Sequence, residues 1–167
     1  IQSSTGSVSG SGDINVNDAV SWSANHTLTL DAERNINVNA PITATGSSGA
    51  LALIYGQGAV DAGNPADYFV NAPVNLKAGS NFSTQLGWNG VVTTYTVITG
   101  LGTAADATSA PVTMTLQGMA ATGSLSGNYV LGADIDAAAT AGWNSGAGFQ
   151  PIGNSATSFF GRFGGLG

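Results

Sequence analysis

Asp13-Ile14-Asn15-Val16-Asn17-Asp18-Ala19-Val20 returns 22 residues later as Asn35-Ile36-Asn37-Val38-Asn39-Ala40-Pro41-Ile42, and more loosely as Phe69-Val70-Asn71-Ala72-Pro73-Val74. Branched apolar residues alternate with asparagine in each copy, which predicts a short strand followed by a turn. Leu28-Thr29-Leu30 and Leu51-Ala52-Leu53 alternate in the same way in the other half of the repeat. The period-two pattern runs from Ser7 to about Leu76, with no helical stripe. A unit of this length cannot bury its apolar face alone, so the repeat means stacking. Hairpin architectures need tight two-residue turns such as Asn-Gly, and a single Asn-Gly occurs, at Asn89-Gly90. A parallel coil instead lays like on like. It would set Ile14 over Ile36 and Val16 over Val38, with Asn15 on Asn37 and Asn17 on Asn39 as amide ladders. The expected fold is therefore all-β, a parallel β-helix (solenoid). At about 22 residues and about 4.8 Å per coil, the chain would make about seven or eight coils and a rod of about 35 Å.

Composition narrows the function classes. Only 7% of the 167 residues are charged, against about 25% in ordinary domains. The net charge is −6, and Arg34, Lys77 and Arg162 are the three cations. That excludes a phosphate-backbone partner, which needs clustered Lys and Arg, and docking on an anionic membrane. No apolar run reaches the about 18 residues of a membrane span. The absence of cysteine removes disulfides, thiol nucleophiles and zinc-thiolate sites together. The chain starts in mid-pattern, and we expect it to be a piece of a longer protein.

The second half carries larger insertions. Residues 81–90 are turn-rich and include Trp88. Val91-Val92-Thr93-Thr94-Tyr95-Thr96-Val97-Ile98 is the strongest strand signal in the chain. Residues 103–110 read as a small-residue loop and 114–121 as a short helical turn. Asn128-Tyr129-Val130-Leu131 and Asp134-Ile135-Asp136 read as strands. No stretch is rich enough in proline or charge to divide two domains. The expected organisation is a single segment, 1–167, with regular coils over 1–80, insertion-containing coils over 81–123, and a distinct C-terminal unit over 124–167.

That C-terminal unit contains Asn128-Tyr129-Val130-Leu131-Gly132-Ala133-Asp134-Ile135-Asp136, then Gly148-Phe149-Gln150-Pro151-Ile152-Gly153, then Phe160-Gly161-Arg162-Phe163-Gly164-Gly165-Leu166-Gly167. It resembles the GLUG-type repeat of very large bacterial surface proteins, whose strands read NYxLxxDID, GFxPIG and FxGxFDGxG. The preceding "INVNAPI" units are similar to filamentous haemagglutinin-like exoproteins, adhesins of the two-partner secretion type. The resemblance implies a right-handed coil, secretion to the bacterial cell surface, and a role in adhesion or biofilm attachment. It also implies a missing N-terminal domain that engages an outer-membrane transporter. Gly164 departs from the pattern, which has Asp there. The final unit stops before its next strand, so its last coil is expected to be frayed or capped by further sequence.

Chemistry-bearing residues are few. His26, the only histidine, sits at a turn with no Gly-x-Ser-x-Gly elbow to serve, and reads as a solvated turn residue. Asp134 and Asp136 form the best carboxylate pair. Such a pair would suit a glycosidase or a calcium ion, but carboxylates here more simply accept backbone N–H bonds at a turn. They are retained as calcium candidates, with no other metal, cofactor or catalytic residue assigned. Trp88, beside Asn89 in a loop, is the expected exposed aromatic. Together they are the candidate glycan contact, because a Trp ring stacks on a sugar while an amide bonds its hydroxyls. Thr93, Thr94 and Thr96 are expected to form an outward row, and Phe149 and Phe163 to lie in the core.

The expected function is a non-enzymatic structural rod segment of a secreted bacterial surface adhesin, mediating attachment or biofilm and matrix interaction. Its partners would be a host or matrix glycan or a protein receptor. There would be no nucleic acid and no membrane insertion, and unpaired end strands would favour end-to-end self-association. The other readings are a carbohydrate-binding module and a polysaccharide-active β-helix enzyme. A lyase needs a base and a cation at its uronate, and three basic residues make a poor supply.

Overall fold

The computed structural model describes residues 1–4, 10–109 and 114–167. The start of the alternating stretch at Ser7 and the end of the 103–110 loop at Ala110 therefore lie outside the described residues. Among the described residues, twelve strands form three sheets. The first sheet joins β1 (Ile14–Val16), β4 (Ile36–Val38) and β7 (Tyr68–Val70). The second joins β2 (Val20–Trp22), β5 (Ile42–Ala44) and β8 (Val74–Asn75). The third holds six strands in the order β12 (Arg162–Gly165), β11 (Asn128–Leu131), β10 (Thr93–Ile98), β9 (Gly79–Leu86), β6 (Ala50–Tyr55), β3 (Thr27–Asp31).

The repeated phrase sets the register of the two small sheets. Ile14 lies opposite Ile36 and Val16 opposite Val38, and Val20 opposite Ile42 in the second sheet, all in parallel pairing. Leu28 and Leu30 pair with Leu51 and Leu53 in the third. Because side chains alternate across a strand, these residues share the inner face. Ile36, Val38, Ile42, Leu51 and Leu53 are buried and join one core cluster.

Outside the core, three rows of Asx side chains pin the strands. Asn37 Nδ2 donates to Asn15 Oδ1 at 2.9 Å. Asn39 Nδ2 donates to Asn17 Oδ1 at 3.0 Å, and Asn71 Nδ2 to Asn39 Oδ1 at 2.9 Å. At the strand entrance, the Asn35 N–H donates to Asp13 Oδ1 and the Asp67 N–H to Asn35 Oδ1, both at 3.0 Å. Arg34 closes this last row with two bonds to Asp13, Nε to Oδ1 at 2.8 Å and Nη2 to Oδ2 at 2.6 Å. The Arg34 guanidinium, helped by the Asn35 N–H and the Ser11 hydroxyl, holds the Asp13 carboxyl well below the usual carboxylate range, against the effect of burial.

The architecture differs from the expected right-handed parallel β-helix of seven or eight coils. The strands form three small sheets rather than a closed or solenoid one, and the six-stranded sheet is mixed. The physical reason is a chain reversal. β9 and β10 pair antiparallel, with Thr84 opposite Thr93 and Phe82 opposite Tyr95, so like-on-like stacking stops at the third copy of the repeat. After the reversal β10, β11 and β12 pair in parallel, and their inward residues Tyr95, Val97 and Val130 enter the same core cluster. The Val74 N–H donates to the Leu166 carbonyl at 2.7 Å, so the chain after β12 returns to the second sheet. Leu166 is buried there, where the sequence leads one to expect a frayed end.

Between β10 and β12 the described backbone is largely irregular, broken by β11 and by short 3-10 turns. The 3-10 segments are Ala104–Thr108, Gln117–Ala120, Thr122–Ser124 and Ala138–Gly146. Two local expectations are also corrected. Residues 134–136 are not a strand, because sheet pairing ends with β11, after which the Gly132 N–H still bonds the Ile98 carbonyl at 2.9 Å. Phe163 remains half exposed on the edge strand β12 rather than in the core, and Phe149 is only partly buried, its ring 6.5 Å from that of Trp143. No helix among the described residues is long and apolar enough to cross a membrane.

Candidate functional site

A recess lies where the regular stack gives way to the chain reversal. Asn39 and Asn71 are 32 residues apart, whereas Asn17 and Asn39 are 22 apart. The excess is the loop 56–65 between β6 and β7. It leaves β6 through Gly56, whose φ of +68° is in the left-handed region that glycine tolerates. Asn64 then ties the loop down, its Nδ2 donating to the Gly56 carbonyl at 2.7 Å and its Oδ1 accepting the Ala66 N–H at 3.1 Å.

This loop is clasped by the 87–92 turn of the β9–β10 hairpin. The Trp88 N–H donates to the Ala59 carbonyl at 3.2 Å, and Asn89 Oδ1 accepts the Asp61 N–H at 2.9 Å. The contact is close at Gly87, where φ is +73° and an added Cβ would stand 2.5 Å from the Asp61 nitrogen. Under the clasp is a cleft of about 330 Å³, whose lining includes Tyr55, Asp61, Thr84, Val91, Thr93 and Arg162. Thr84 and Thr93 face each other across the antiparallel pair. Val91 is 85% exposed at the rim.

The cleft is polar but sparsely charged. Asp61 Oδ1 accepts the Ala62 N–H at 2.8 Å. Arg162, on the outer strand, makes no ion pair among the described residues, where the single ion pair is Arg34–Asp13. Burial pushes the Tyr55 phenol up, and the Asp67 charge adds to this while Arg162 opposes it. Asp61 is the one carboxylate lining the cleft, whereas glycoside hydrolysis uses a pair. The chemistry present is hydrogen bonding: an acceptor carboxylate, a donor guanidinium and adaptable hydroxyls.

The residues singled out from sequence fall into separate places. Trp88 is 63% exposed on the clasping turn, and Asn89 is exposed beside it. The carbonyl side of Asn89 is engaged by Asp61, so this residue holds the loop as well as facing solvent. Asp134 and Asp136 are exposed beyond β11 and far along the chain from the cleft. Asp136 Oδ1 accepts the Ala138 N–H at 2.8 Å, the turn-capping role. No group of three or more His, Cys, Asp or Glu able to hold a metal occurs among the described residues. His26 is exposed in the turn before β3, where its carbonyl accepts the Trp22 indole N–H at 3.1 Å. Thr93 does not join Thr94 and Thr96 in one outward row, because successive strand residues face opposite ways.

Asp61, Thr84 and Arg162 did not stand out in the sequence. Arg162 had one signal, as one of three cations in the chain. Asp61 had none, because its placement depends on a contact 28 residues away. Compared with known proteins, the chain matches no family model, no curated protein and no solved structure.

Proposed function

We propose that this chain is a non-enzymatic structural segment of a secreted bacterial surface adhesin, and that it mediates attachment to a host or matrix surface. The observation that carries the reading is the Asn17–Asn39–Asn71 row, with amide bonds of 3.0 and 2.9 Å between identical side chains on successive strands. Such a row belongs to a protein built by repetition, with its hydrogen-bonding capacity spent on holding register. The reactive groups are dispersed in keeping with this: His26 and Asp134 are exposed on separate turns, and Asp136 caps a backbone N–H. The few-charge surface favours contact through hydroxyls and amides over ionic attraction.

The test is mechanical. Beads coated with the purified chain should be retained under flow on extracellular-matrix or biofilm-polysaccharide surfaces several-fold better than beads carrying an unrelated β protein of equal net charge. Equal retention overturns the attachment reading. Release of reducing sugar from those polysaccharides would place the chain among enzymes instead.

A further inference from the structure

From the cleft between loop 56–65 and turn 87–92, we propose that this face binds one residue of a neutral saccharide. The inference rests on the attachment reading and names the ligand class for it. Asp61 and Arg162 line the same recess without forming an ion pair, so an acceptor and a donor remain free to face a ligand. A sugar diol suits that arrangement, because each hydroxyl both donates and accepts, and hydrogen bonds to a charged partner are the strong kind. Thr84 and Thr93 are paired in the β9–β10 register and both line the recess. Their hydroxyls can rotate to match equatorial or axial hydroxyls.

The apolar parts fit as well. Val91 at the rim and Trp88 on the clasping turn are both strongly exposed. A sugar ring has apolar C–H faces that pack on such surfaces; Val91 lines the recess itself, whereas Trp88 stands outside the lining, on the turn beside it. The recess of about 330 Å³ is at the small end of ligand sites, so it holds a single ring with the rest of the glycan in solvent. The walls are fixed before any ligand arrives by the Asn89–Asp61 and Trp88–Ala59 bonds, which lowers the ordering cost of binding. Uronic and sulfated sugars are disfavoured by the net charge of −6 and by Asp61 itself.

The experiment titrates the whole chain with methyl β-galactoside, methyl β-glucoside and methyl α-mannoside, following saturation-transfer NMR and calorimetry. Glucuronate and a heparin oligosaccharide form the acidic arm. At least one neutral glycoside should saturate with Kd on the order of millimolar, the range of a small polar ligand. Arg162→Gln and Asp61→Asn should each weaken it about tenfold, with unchanged circular dichroism. Asp61 is clasped by two loops, so if its variant misfolds, Arg162→Gln, on an exposed edge strand, carries the test. Failure of every neutral glycoside to saturate overturns the proposal. So does binding confined to glucuronate or heparin, or wild-type affinity in Arg162→Gln. Beads carrying Arg162→Gln that are retained as well as wild type would sink the cleft while leaving attachment standing. Wild-type beads that bind the glycoside but are not retained would sink attachment alone.

Discussion

Replacing Ile36 by alanine tests the stacked core at its centre. Ile36 is fully buried, with Ile14 opposite it on one side and Tyr68 on the other. The substitution removes three carbons from the interior, a transfer loss of about 2.4 kcal/mol. Neighbours are held in place by backbone ladders and Asx rows and will relax only in part. A residual cavity of about 50 Å³ adds about 1.2 kcal/mol at the usual volume coefficient. The expected cost is therefore about 3.5 kcal/mol, a large fraction of the stability of a domain this size. Ile36→Val should cost about 1 kcal/mol. Phe69 supplies the control, since it is a larger side chain on the neighbouring strand β7 but 45% exposed. Phe69→Ala should cost less than Ile36→Ala by about 2 kcal/mol or more, because much of its area never leaves water. Urea unfolding followed by far-UV circular dichroism gives the free energies, provided the denaturant slopes of the variants agree. A cost below about 1 kcal/mol for Ile36→Ala, or a greater one for Phe69→Ala, would refute the assigned register.

Three further outcomes follow from the hydrogen bonds and the buried phenols. Asn39→Ala removes one donor and one acceptor from the Asn17–Asn39–Asn71 row and should cost about 1–2 kcal/mol, with about half that for Asn71→Ala; equal costs in urea unfolding would refute a continuous row. Asp13 is held low by Arg34, so its contribution is present above the unfolded carboxylate value of about 3.9 and is lost as pH falls through the folded value. The melting temperature of Arg34→Ala should accordingly lie below wild type near neutrality, with the gap narrowing on acidification below about pH 4; a gap unchanged at pH 2 contradicts the pairing. Burial pushes Tyr68 up to about 12 and raises Tyr55 as well, so stability is intact below the unfolded value of about 10 and declines as pH climbs toward 12. Phenolate absorbance should show the Tyr68 proton retained past about pH 11 until the fold is lost, and ionisation of Tyr68 near pH 10 with native dichroism would count against this.

The sequence and the structure agree where the pattern is local and repeated. Ile14, Val16 and Leu28 were legible because each has an equivalent one repeat away, and those equivalents are the residues they face. The amide partners Asn15–Asn37 and Asn17–Asn39 were readable for the same reason. The extent of the stack was not legible from the repeat. Its end is announced by Asn89-Gly90, the lone hairpin dipeptide, and the β9–β10 antiparallel pair turns around that site. Periodicity averages over such a point, whereas turn chemistry names it. The strand signal over 134–136 failed because pairing ends at the close of β11, where the Gly132 N–H makes a bond to the Ile98 carbonyl. An added Cβ at Gly132 would lie 2.5 Å from Val97 Cγ1, so the backbone packs too closely there for a side chain. Trp88 could be placed in the open from its loop composition. The cleft beside it could not, because Asp61, Thr93 and Arg162 come together only through the reversal.

The lengthened third repeat explains how a scaffold of this kind carries a recognition surface without losing its register. Ten extra residues enter between β6 and β7, yet Ile36 still meets Tyr68 and Ile42 still meets Val74. Two bonds hold the strand after the insertion, the Asp67 N–H to Asn35 Oδ1 and Asn71 Nδ2 to Asn39 Oδ1. Both partners flank β4, the neighbouring strand in the sheet, so the ladder is fixed independently of what the loop does. Loop length costs little beyond closure, about 0.6 kcal/mol per doubling, and a slip by one residue would turn every inward side chain to solvent. The energetic penalty therefore falls on the register and hardly at all on the loop. Variation in such a chain is cheapest where loop 56–65 meets turn 87–92, where an insertion, an exposed Trp and a cation without an ion pair among the described residues converge.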